Sequence, residues 1–270
     1  MGVLLQGFYQ RGDAGVPVPP EGGLTHSWWD HLAAQAADFS QAGFTAIWLP
    51  PMTKGASGKA SVGYDVFDDY DLGSKNQKGT VATRYGSRRE LTRCVAMMRA
   101  NGLDVYADLV ENQRGGGNGP GGFAFRYADA DGAVGGGRFS KDPDDFHPNV
   151  PQDPNVPGPD FSFGTDLAPI NGGPPGSLAE RLIDSADWLT RSLDLQGYRI
   201  DDAKGQSSDF LLRFLRPGTR VLAKGEQGKS VDAVVAATGF HAFVIQASHT
   251  PATNRKPRYA LSVSYQAPRT

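Results

Sequence analysis

The sequence has one cysteine, Cys94, among its 270 residues, so no disulfide can form within the chain. It sits in the apolar-periodic run 91–98, where a core thiol is expected and a nucleophile is not. Charge of either sign is also lacking in excess: 27 lysines and arginines face 29 aspartates and glutamates, a net charge of −2. That balance gives no bulk electrostatic reason to bind nucleic acid or an anionic membrane, and it favours neutral partners such as sugars. No apolar run reaches the length of a membrane span. The opening residues, MGVLLQGFYQ, have no basic flank and too short an apolar stretch for a signal peptide, so they are expected to form a strand. Acids are missing altogether from 233–270, which carry only Arg255, Lys256, Arg258 and Arg269.

Glycine and proline are plentiful, at 35 and 19 residues, which predicts long loops without reaching low-complexity composition. Between the loops the pattern alternates. The segment 3–9 suits a buried strand, and Ser27 is placed to cap a helix over 28–42 that Gly43 ends. A second strand at 44–49 stops at Pro50-Pro51, a helix over 88–101 stops at Gly102, and 103–110 forms a third strand. Residues 112–170 break the rhythm with Gly115-Gly116-Gly117, Gly135-Gly136-Gly137 and several prolines. A helix resumes over 177–195, followed by a strand at 197–201, a short helix at 208–215 and a strand at 220–223. Alternating β and α units predict a parallel sheet with right-handed crossovers. An open doubly wound sheet and a closed barrel both fit; the long excursion after strand three favours the barrel.

In a parallel barrel the carboxyl ends of the strands face the active-site end. Asp108, Asp201 and Glu226 fall at such ends. Two opposed carboxylates can cleave a glycosidic bond with retention, one attacking the anomeric carbon and the other protonating the leaving oxygen. Arg199 precedes Asp201 by two residues, so on a strand both side chains share a face, and the guanidinium would keep Asp201 ionised as a nucleophile requires.

The segments that carry these residues resemble the α-amylase family, glycoside hydrolase family 13. Val62-Gly-Tyr-Asp-Val-Phe-Asp-Asp-Tyr-Asp-Leu-Gly73, with Gln77-Lys-Gly-Thr-Val and Arg84-Tyr-Gly-Ser after it, is similar to that family's stretch between strand two and helix two. Phe44-Thr-Ala-Ile-Trp-Leu-Pro-Pro51 resembles its strand two, Val105-Tyr-Ala-Asp-Leu-Val-Glu-Asn112 its strand-three motif, and Gly197-Tyr-Arg-Ile-Asp-Asp-Ala-Lys204 its strand-four motif. The resemblance runs over about residues 1 to 216.

It implies calcium-dependent hydrolysis of α-1,4-linked glucans, such as starch and maltooligosaccharides, by a secreted enzyme. Asp201 would be the nucleophile, Arg199 its partner and Glu226 the acid/base. Tyr64 would stack on the sugar, Lys204 would contact the leaving-group side, and Asp108 would support the site. Asn112 and Asp166 would ligate calcium through side-chain oxygens and Gly205 through its backbone carbonyl, all hard oxygen donors of the kind calcium takes. Residues 112–170 would be a small inserted domain between two parts of the barrel domain, 1–111 and 171–232, with 233–270 a divergent tail.

Departures from the family pattern matter too. Gln113 stands where a sugar-binding histidine is usual, and a glutamine can still donate to a hydroxyl. Gln227-Gly228-Lys229 replaces the aromatic residues expected after the acid/base glutamate. The Asn-His-Asp of strand seven is absent, and Ser248-His249-Thr250 is no substitute. The excursion takes about 59 residues, which leaves about 211 where a complete barrel uses about 250. The expectation is a barrel of five or six βα units, with a homodimer through its open edges, or repair of one edge by strand-like segments at 240–247 and 259–265. A transglycosylase, or a glucan-binding remnant without catalysis, would carry much the same residues.

Overall fold

Buried apolar runs dictate the sheet. The computed structural model describes residues 2–9, 16–19, 25–127, 140–151, 164–169, 176–202, 205–214, 220–224 and 243–244. Strand β1 (Leu4–Gln6) leads to helix α1 (Trp28–Ala34), whose N-terminus is capped by the Ser27 hydroxyl accepting from the Asp30 amide. Helix α2 (Ala36–Gln41) follows directly. The single helix expected over 28–42 is therefore two. Gln35 takes φ −99° and ψ 2°, and its amide bonds back to Leu32, three residues away, which tightens the turn and breaks the axis. Gly43, at φ +91°, then releases the chain.

Strand β2 (Ala46–Leu49) is followed by a short antiparallel pair, β3 (Lys54–Gly55) and β4 (Val66–Asp68). Helix α3 (Arg88–Ala100) opens with a reciprocal cap between Ser87 and Glu90 and buries Leu91, Cys94, Val95 and Met98, the spacing of one helical face. Cys94 is the core thiol expected, and burial pushes its pKa up to about 12. Strand β5 (Asp104–Leu109) leads into β6 (Gln113–Arg114), which pairs antiparallel with β7 (Thr165–Asp166). Helix α4 (Leu178–Leu193) buries Leu178, Leu182, Ala186, Leu189 and Leu193. Strand β8 (Gly197–Ile200), helix α5 (Ser208–Phe214), strand β9 (Arg220–Lys224) and strand β10 (Phe243–Val244) complete the described elements.

The six-stranded sheet runs in the order β1-β2-β5-β8-β9-β10, with every neighbouring pair parallel. Each new strand is added on the same side. A doubly wound sheet reverses its order at a switch point, whereas a barrel wall grows in one direction, so this order is the barrel's. Among the described residues β1 and β10 are not paired with each other. Strand β10 lies within the 240–247 segment and covers the free side of β9. No helix among the described residues is long and apolar enough to cross a membrane.

Candidate active site

Strand register assembles the site. In the β5–β8 pairing Asp108 is the direct partner of Arg199, so two neighbouring strands deliver an acid and a guanidinium to one place. Arg199 Nη1 donates to Asp108 Oδ1 at 2.9 Å and to Asp201 Oδ1 at 2.5 Å. Leu109 accepts from the Asp201 amide at 2.8 Å, which extends the strand ladder to the residue that turns away from it. The other oxygen of Asp108 accepts from the Tyr64 hydroxyl at 2.9 Å and from Trp48 Nε1 at 3.1 Å. Arg199 also lies over the Trp48 ring, 5.0 Å from its centre.

The two acids on Arg199 differ in access. The Asp108 side chain is fully enclosed, while that of Asp201 is 19% exposed. Burial pushes the Asp108 carboxyl up to about 6, with Arg199 opposing the rise and the Asp201 charge adding to it. Burial works against the Arg199 charge, but the two carboxylates outweigh it and hold the guanidinium firmly protonated. Burial, with the Asp108 charge behind it, raises Tyr64 well above 10.0, so its hydroxyl is a donor. Asp201 is thus the acid with room to meet a ligand, held from beneath by a permanently charged partner.

Gln113 is buried, and its amide nitrogen donates to the Tyr64 carbonyl at 2.9 Å. One donor of the residue expected to hold a sugar hydroxyl instead fixes the backbone that carries the Tyr64 ring. Trp48 was not among the expected site residues. The signal was in the sequence, because Trp48 is one residue from the carboxyl end of β2, beside the strand that carries Asp108.

A second constellation adjoins the first. The β6–β7 pairing sets Gln113 opposite Asp166, and the Asn112 carbonyl accepts from the Leu167 amide at 2.9 Å, so Asn112 and Asp166 come from adjoining segments. Gly205 packs against Asn112: a Cβ built there would stand 2.4 Å from Asn112 Oδ1 and 3.0 Å from Asp202 Oδ2. Asp166 Oδ2 is buried without a hydrogen-bond partner. Burial pushes the Asp166 carboxyl up to about 6, with His147 opposing and Asp202 adding to the rise. A buried carboxylate oxygen without a donor, on a segment whose backbone is bonded to that of Asn112, fits an oxygen-coordinated cation. No group of three or more His, Cys, Asp or Glu gathers anywhere among the described residues, so any such site must count amide and carbonyl oxygens. Lys204 and Glu226 lie outside the described residues.

No protein-family model matches the chain. A glucan 1,4-alpha-maltohexaosidase from Bacillus sp. (strain 707) is 48% identical over 88 residues, which is 33% of this chain and 17% of that protein. An alpha-amylase from Geobacillus stearothermophilus is 43% identical over 102 residues, 38% of this chain and 18% of that one. Among solved structures, the alpha-amylase of Geobacillus thermoleovorans in complex with acarbose superposes with a TM-score of 0.51 at 24% identity, over 74% of this chain and 40% of its own. The strands thus define a parallel α/β protein with the fold of that solved amylase. In sequence the chain is similar to the α-amylases of glycoside hydrolase family 13, and the matched stretches span less than a fifth of the length of those two curated relatives.

Proposed function

We propose that this chain carries the catalytic face of an α-amylase-like glycoside hydrolase that cleaves α-1,4-glucosidic bonds in starch or maltooligosaccharides with retention. The observation that carries the reading is Arg199 bridging Asp108 and Asp201 at the carboxyl ends of adjacent parallel strands, with only Asp201 accessible. Asp201 attacks the anomeric carbon while Glu226 gives its proton to the leaving glycosidic oxygen. Glu226 then takes a proton from the water that hydrolyses the glycosyl-enzyme ester. Asp108 anchors Arg199 and Tyr64, the Tyr64 ring stacks on the sugar, and Gln113 and Lys204 complete the substrate contacts.

Calcium, when bound, supplies a fixed positive charge that ties the β6–β7 segment to the strand ends, held by Asn112, Asp166 and the Gly205 carbonyl. A ligand that binds only the folded chain raises its stability by mass action, so chelation should lower the melting temperature and added calcium restore it. A homodimer through the open sheet edge belongs to the same reading, and light scattering from a soluble monomer at micromolar concentration would overturn it. The deciding experiment is reducing-sugar release from soluble starch by the wild type, Asp201→Asn and Glu226→Gln. Release by the wild type and none by either variant supports the assignment. Undiminished release by Asp201→Asn refutes it.

A further inference from the structure

We propose that Asp202 supplies a second carboxylate to the cation site of Asn112 and Asp166, giving that site two negative charges from its side chains. The proposal rests on the cation reading above and goes beyond its three ligands. Asp202 lies one residue after the proposed nucleophile and took no role in the sequence-based expectation. The chain enters the left-handed region there, at φ +44°, a conformation that aspartate and asparagine adopt more readily than most residues. The turn places Asp202 Oδ2 and Asn112 Oδ1 within 3.0 Å of one point beside Gly205, so the two oxygens converge on the same small space. Only a residue without a Cβ leaves that space open, since a methyl group there would collide with Asn112.

The second, independent observation is Asp166 Oδ2, enclosed and without a hydrogen-bond donor. A buried carboxylate oxygen left in this way is costly unless a cation meets it. Two acids, a side-chain amide oxygen and a backbone carbonyl form a hard-oxygen set matched in charge to a divalent ion. Affinity in such sites rises with the number of charged ligands. The arrangement also joins the cation to the strand end that bears Asp201 by a single peptide link.

The test is calorimetric titration of calcium into the full chain after chelator treatment, with circular dichroism as the check on folding. Asp202→Asn and Asp202→Gly both tolerate the positive φ, so at least one variant retains the backbone. The expected result is calcium binding by the wild type, weakened at least about tenfold in Asp202→Gly and less in Asp202→Asn, whose amide oxygen can still ligate. Binding by Asp202→Gly within about twofold of wild type, while Asp166→Asn loses affinity, overturns the role of Asp202 and leaves the cation site standing. A wild type that takes up no calcium overturns both.

Discussion

Two buried arginines in this molecule each hold two carboxylates, yet only one of them marks a candidate site. Arg199 bridges Asp108 and Asp201, and one of those acids is open to solvent. Arg114 bridges Asp69 and Glu111, and every member of that group is sealed. Lys141 Nζ completes the second cluster, meeting Asp69 at 2.5 Å and the Tyr127 hydroxyl at 2.8 Å, so that two cations balance two acids. That balance leaves Arg114 firmly protonated: burial lowers its pKa, and Asp69 and Glu111 more than reverse the effect. Burial would likewise raise the Asp69 carboxyl, but Arg114 and Lys141 outweigh it and hold the acid well below the usual carboxylate range. The chemistry of the pairs is nearly the same. Access and unspent bonding capacity separate a reactive acid from a structural one.

The largest effect that could break this comparison is on turnover. Asp201→Asn should reduce starch hydrolysis at least about a thousandfold while the melting temperature stays near that of wild type. Arg114→Met should do the reverse in character, costing about 3–5 kcal/mol of folding stability by leaving buried Glu111 without its cation and Asp69 with Lys141 alone. Denaturant titration reads this cost, and a variant as stable as wild type would show the sealed cluster to be dispensable.

The pH dependence sharpens the contrast. The Asp108 carboxyl rises from 3.8 in the unfolded chain to about 6 on folding. Between those values the folded state holds a proton that the unfolded state lacks, so this residue's contribution to stability falls as pH climbs from about 4 to about 6. Asp69, depressed on folding, contributes stability above the usual carboxylate range that is lost as pH falls through it. Melting curves from pH 4 to 7 should therefore have a different slope in Asp108→Asn than in wild type, and parallel curves would contradict the assignment. The smallest effect belongs to Gln113. Gln113→Leu removes the bond to the Tyr64 carbonyl, worth about 1 kcal/mol, and should raise KM for maltooligosaccharides several-fold with kcat less affected. An unchanged KM would mean that Tyr64 needs no such support.

Local elements were readable where one kind of signal dominated. The apolar spacing of Leu91, Cys94, Val95 and Met98, with Ser87 and Glu90 before it, specifies α3 without reference to anything distant. The break at Gln35 was not readable, because helix propensity continues through it and only its backbone geometry shows the interruption. Asp108, Arg199, Asp201 and Tyr64 could be chosen from their motifs. That Arg199 faces Asp108 across the sheet could not, since the register between strands 91 residues apart is a tertiary property. The sealed cluster was not readable for the same reason: Asp69, which joins Arg114 to Lys141, lies 45 residues from the one and 72 from the other.

The sequence by itself determined the alternation of strands and helices, the caps and glycine stops, and the residue types offered at each strand end, because all of these follow from interactions a few residues long. Tertiary structure decided which acid is enclosed and which is open, which glutamine nitrogen meets which carbonyl, and that Asp202 turns toward Asn112. Those outcomes depend on burial and on strand register, and both exist only once distant segments have packed against one another.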